Sequence, residues 1–115
     1  MDAKTAINLT LNLLADCGVN SWNVAVIENF GPEHPERMGL CSYKDRTIYL
    51  ARCTHDGAKV YLDDDAEMLA TIREEIAHVL SRGDREHGEA FQRALGLVPS
   101  KPSRMDRPFR VVEIS

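Results

Sequence analysis

Long apolar runs are missing from these 115 residues. No stretch approaches the roughly 20 consecutive apolar residues that a membrane-spanning helix needs. Asn8, Thr10, Asn12 and Asp16 interrupt the apolar pattern near the start, so no secretory apolar segment is expected there. Paired cysteines are missing too. Cys17, Cys41 and Cys53 are odd in number and form no C-x-x-C spacing, which excludes a disulfide framework and points to a reducing, cytoplasmic setting. An excess of positive charge is also absent. Lys plus Arg number 14 against 18 Asp plus Glu, for a net charge of -4, and a free-standing nucleic-acid binder is more often basic. Internal repeats and low-complexity stretches are absent. What remains is 43% hydrophobic and 28% charged, the composition of one soluble domain with a single core.

The charge is unevenly distributed. Residues 82–115 hold seven basic and five acidic groups, so the acidic excess lies before them. Within that region, 98–115 reads as a basic, proline-containing extension. Lys101, Arg104, Arg107 and Arg110 alternate with Pro99, Pro102 and Pro108. Such a segment offers contacts to an acidic partner or nucleic acid, or is simply a solvated, partly ordered tail.

Hydrophobic spacing predicts an α+β domain with three helices and a small three- to four-stranded sheet. Residues 3–16 read as a helix with Ile7, Leu11 and Leu14 on one stripe and Gly18 as a stop. Residues 22–29 read as a strand. Residues 38–43 and 46–52 read as a hairpin around Tyr43-Lys44-Asp45-Arg46. Val60-Tyr61-Leu62 reads as a brief extended piece. A second helix is predicted over 65–81, with Asp64 and Glu67 at capping-box spacing. The triplet Asp63-Asp64-Asp65 suits the positive end of that helix better than it suits a metal. A third helix is predicted over 86–96, ended by Gly96, and a last strand over 108–114.

The chemistry concentrates on the second helix. Leu69, Ile72, Ile76, Val79 and Leu80 fall within about 100° of arc and form the core stripe. Glu74 and His78 lie nearly opposite and are four apart, so they share one face. Glu75 sits at the edge of that face. A turn at Gly83 would let His87 return beside His78. Glu74, His78 and His87 would then surround one point, with Glu75 free. Two histidines and a carboxylate with an open position is a composition used for catalytic zinc, and a free carboxylate beside it can act as general base. Taken alone, Glu74 and His78 also read as a surface pair, and His34 and His55 as surface residues.

The segments Glu74-Glu75-Ile76-Ala77-His78-Val79-Leu80, Gly83-Asp84-Arg85-Glu86-His87-Gly88 and Phe91-Gln92-Arg93-Ala94-Leu95-Gly96 resemble the SprT-like zinc metallopeptidases, in particular small phage and bacterial versions. That family carries H-E-x-x-H on a helix and a third His, usually as His-Gly, about nine residues later. The hairpin Met38–Tyr43 to Thr47–Leu50 also resembles the strand pair before that helix, and the likeness covers about residues 5–97. The resemblance implies a minimal zincin fold over 1–115, Zn2+ at the positions of Glu74, His78 and His87, Glu75 as general base, and a protein or peptide substrate. It also implies an edge strand that holds the substrate extended, expected near Thr47–Arg52. The chain departs from the family where the first His of H-E-x-x-H is Glu74. Three outcomes are open there: Glu74 ligates zinc, Glu74 points to solvent, or the site is empty and the fold serves as a pseudopeptidase that binds protein or nucleic acid. The Cys-rich ribbon of some relatives is absent, so it supports no DNA targeting.

Overall fold

Ala6, Ile7, Leu13 and Leu14 recur at helical spacing and turn one face inward, so Ala3–Asp16 forms helix α1. The expected stripe is rotated: Leu13 is buried and Leu11 is only half-buried. Asp2 caps the start by accepting from the Thr5 N–H at 2.7 Å. The chain leaves through Gly18, whose φ of +79° is the left-handed conformation that glycine tolerates. The structure, a computed structural model, describes residues 1–82 and 87–109. Residues 83–86, including the expected turn at Gly83, and 110–115, including Arg110, lie outside the described residues. Most of the expected strand over 108–114 lies there too.

Three short strands follow: β1 (Asn23–Ile27), β2 (Gly39–Ser42) and β3 (Thr47–Ala51). The hairpin expected from 38–52 forms, with Leu40 opposite Tyr49 and Cys41 opposite Ile48. The sheet order is β1-β3-β2, with β1 parallel to β3. That pairing corrects one expectation. Thr47–Ala51 is the central strand, not an edge, because β1 takes its other side. Apolar and small residues on both faces of β3 fit it for that place, and Ile48, Leu50 and Ala51 are fully buried. The edge strand beside the second helix, Asp65–Ser81, is β2.

Val60 bridges to Cys53, and Tyr61–Asp63 forms a 3-10 turn rather than an extended piece. Helix α2 (Asp65–Ser81) then crosses the sheet. Asp64 caps it, accepting from Glu67 N–H at 3.0 Å. The other half of the capping box is not made, since the Glu67 carboxylate pairs with Lys59 at 2.9 Å. The buried arc is wider than the expected stripe. Met68, Thr71 and Glu75 join Ile72, Ile76 and Val79, while Leu69 and Leu80 are half-buried. The reason is that both the sheet face and strand β2 press on α2.

Helix α3 (Glu89–Leu97) packs chiefly on α2, with Phe91 and Ala94 against Ala77. It runs through Gly96 instead of stopping there. Arg73 of α2 supports the one further residue: its guanidinium donates to Leu95 O at 3.3 Å and Val98 O at 2.8 Å, satisfying carbonyls that a helix end leaves open. The described residues thus make an α+β fold of three helices and one three-stranded sheet. No helix among them is long and apolar enough to cross a membrane.

The basic extension lies across α1. Asn8 donates to Met105 O at 3.0 Å, and Arg107 donates to Asn12 O and Oδ1 at 3.1 and 3.0 Å. Asp16 pairs with Arg107 at 2.6 Å and accepts from Ser103 N–H at 2.6 Å. These hydrogen bonds, those from Ser103 foremost, hold the Asp16 carboxyl down at about 2. Arg104 pairs with Asp106 at 2.7 Å, and Lys101 is exposed. Arg107 therefore serves as an internal clamp.

Candidate metal centre

His78 comes from the last turns of α2, and His87 stands just ahead of α3, whose N-cap is Gly88. His87 has a φ of +56°, a left-handed conformation that is uncommon for a residue with a Cβ. The result is close approach: His78 Nε2 and His87 Nε2 lie 3.1 Å apart. Phe91, in the first turn of α3, backs both rings. It stacks on His87 at 4.1 Å between centroids and lies 4.6 Å from His78. Tyr43 steadies the same turn of α2 from the sheet side, its hydroxyl donating to the His78 carbonyl.

Two imidazole nitrogens at this separation either share a proton or face a common cation. Tetrahedral zinc with Zn–N of about 2.0–2.1 Å sets its nitrogen ligands about 3.3–3.4 Å apart. The observed spacing is near that edge length. Among the described residues no set of three His, Cys, Asp or Glu side chains converges as a ready metal group. Glu74 is exposed and lines the same groove, one turn before His78. The structure therefore brings His78 and His87 together and leaves Glu74 on the wall beside them.

Glu75 is the buried member of the site, at 8% exposure. Burial first, and the neighbouring Glu74 charge second, push its carboxyl up to about 7, against the pull of Arg37. Its bed is made by a missing side chain. A Cβ on Gly39 would lie 2.9 Å from Glu75 Cγ and 3.0 Å from Thr71 Cγ2. Glycine at the start of β2 is what lets the strand approach the helix there. Gly39→Ala should lower stability by about 1–3 kcal/mol and displace Glu75, as read by denaturant unfolding; an unchanged midpoint would mean that the strand simply shifts.

The groove in front of these groups has a volume of about 750 Å³. Residues 37–44 form one wall, and Thr71, Glu74, Glu75, His78 and His87 form the other. Cys41 also lines it, but burial and the Glu75 charge push its thiol up to about 12. In the metal-free protein it stays protonated at neutral pH and is no nucleophile. His34 and His55 are exposed and outside the groove, with His55 Nδ1 3.3 Å from Asn29 Oδ1. Motif spacing does not point to Gly39, Tyr43 or Phe91 as supports of the site. The one sequence signal among them is a glycine opening a strand. Compared with family models, curated proteins and solved structures, the chain has no match.

Proposed function

We propose that this chain is a zinc-dependent peptidase of the minimal zincin type, similar to the SprT-like family. The observation that carries the reading is the 3.1 Å approach of His78 and His87 from two separate segments. His78, His87 and Glu74 would hold the metal, Glu74 by swinging its exposed carboxylate one turn along α2. When bound, zinc lowers the pKa of a water and polarises a carbonyl. The chain's own residues then divide the work. Glu75 accepts a proton from water in the groove and passes it to the departing amine, a role suited to a carboxyl near neutrality. Phe91 keeps the imidazoles oriented, as a metal site requires of its surrounding shell. The free edge of β2 offers an extended peptide unpaired backbone groups along the groove.

A zinc titration against a chromogenic chelator tests this directly; no uptake by the full chain would sink it. Glu74→His should tighten zinc by on the order of tenfold, since imidazole suits zinc better than a lone carboxylate on a mobile side chain. The exposure of Glu74 favours a second reading, a pseudopeptidase that binds a protein or nucleic acid without metal. Zinc binding and cleavage that appear only in Glu74→His would select that reading.

A further inference from the structure

A second pocket lies at the C-terminal end of α2, with a volume of about 690 Å³. Trp22, Tyr43, Arg46 and Arg82 line it, with Ser21 and Val79. Trp22 and Tyr43 meet edge to face, with centroids 5.7 Å apart at 87°. No carboxylate among the described residues lines it, although the chain as a whole carries a net charge of -4. Among the described residues neither guanidinium is in an ion pair, and Arg46 donates to Ser21 Oγ at 2.7 Å. Both arginines stand in the left-handed region, Arg46 at φ +50° and Arg82 at φ +37°. Tyr43 is also part of the catalytic groove, so the two depressions share a wall.

We propose that this pocket takes an acidic side chain of the polypeptide whose backbone occupies the His78/Glu75 groove. The inference rests on the peptidase reading for the identity of the ligand as a peptide. The chemistry is that of arginine, whose single guanidinium fork matches a carboxylate with two parallel N–H···O bonds, and either arginine lining the pocket can supply it. The aromatic pair supplies the apolar body over which the methylenes of a glutamate can lie. A carboxylate rather than a nucleic acid is indicated by the count and setting of the charges. Backbone-tracking of a nucleic acid draws on several cations in a row. Here two arginines line the pocket, and the adjoining groove sets Arg37 and Lys44 among Glu74 and Glu75, so no uninterrupted row of cations is offered. Tyr43 directly follows β2, so a chain extended along Gly39–Ser42 passes from one depression toward the other.

Trp22 is the single tryptophan and lines the pocket, so its emission reports occupancy without any need for catalysis. The test uses the full chain in chelator, titrated with a capped hexapeptide Ala-Ala-Glu-Glu-Ala-Ala and with its Gln-Gln counterpart. The acidic peptide should shift Trp22 emission saturably and bind about tenfold tighter than the neutral one, the worth of one charge-assisted contact. The double variant Arg46→Gln, Arg82→Gln should erase that preference; Arg82→Gln alone, at an exposed position, should reduce it and serves if the double variant melts early. Equal binding of the two peptides would overturn the proposal. So would a preference that survives both variants, or tighter binding of decathymidylate than of the acidic peptide. Zinc-dependent cleavage of the same peptides is scored in parallel. A preserved acidic preference without cleavage would remove the peptidase reading and leave the pocket in place.

Discussion

Glu75→Gln should abolish peptide hydrolysis, by about 10²–10⁴-fold, while zinc remains bound at unchanged stoichiometry. The geometry gives the reason. Glu75 is buried under Gly39 and lines the groove, whereas in the proposed site Glu74 and the two histidines would present the ligating atoms. Zinc lost in this variant would make Glu75 a ligand and reverse the assigned roles. The same substitution has a second readout. In the metal-free protein the Glu75 carboxyl is raised from 4.5 to about 7. A raised acid pKa means that the folded state holds its proton longer than the unfolded state. The Glu75 contribution to stability is therefore full below pH 4.5, falls as pH rises toward about 7 and stays lower above it, by about 3 kcal/mol in all. Glutamine carries no such charge. The variant should melt at higher temperature than the parent at pH 8 and converge with it near pH 4. A parent chain whose stability does not fall across that range would mean that Glu75 is solvated.

Phe91→Ala should be the most damaging single truncation near the site. Phe91 is 2% exposed and is the largest member of the small cluster with Ala77 and Ala94. Its loss should cost about 3–5 kcal/mol and lower the melting temperature by on the order of 15 °C. It also removes the ring that both histidines lean on, at 4.1 and 4.6 Å. Circular dichroism melting and zinc titration measure the two effects separately. Phe91→Leu keeps most of the volume and no aromatic face. It should recover most of the stability while leaving zinc binding weakened. Full recovery of both would show that Phe91 only fills space.

The helices were legible where local signals agreed. Asp64 before an apolar period fixed the start of α2, and Gly18 marked the exit from α1. The hairpin 39–51 was legible because its strands are neighbours in sequence. The parallel pairing of β1 with β3 was not. It joins residues more than twenty apart, and no local pattern encodes it. The family resemblance put the edge near Thr47–Arg52, and it is this parallel pairing that makes β3 central instead. The helix face at Glu75 misled for a related reason. An angular projection counts one apolar stripe, while α2 is covered from two sides. The polar residues of α1 carried a meaning that the apolar pattern hid. Asn8, Asn12 and Asp16 are spaced by four and form the track that holds the extension. Of the site, the pairing of His78 with His87 was legible through motif spacing. The supports Gly39 and Tyr43 act across the fold and were not, and although Phe91 is four residues from His87, only the packing of α3 on α2 brings it to His78 as well.

The satellite cluster under α3 has a kinetic consequence. Ala77, Phe91 and Ala94 pack as a unit distinct from the main core, and Arg73 ties down the far end of the helix. A segment held by so few apolar contacts opens more readily than the sheet behind it. Opening would carry His87 away from His78 while α1, α2 and the strands stay folded. A ligand that bridges the two rings favours the closed segment and slows its escape. Metal would then act as a latch on the last helix, and amide exchange in Glu89–Leu97 would slow with each increment of zinc while the strands keep their native protection.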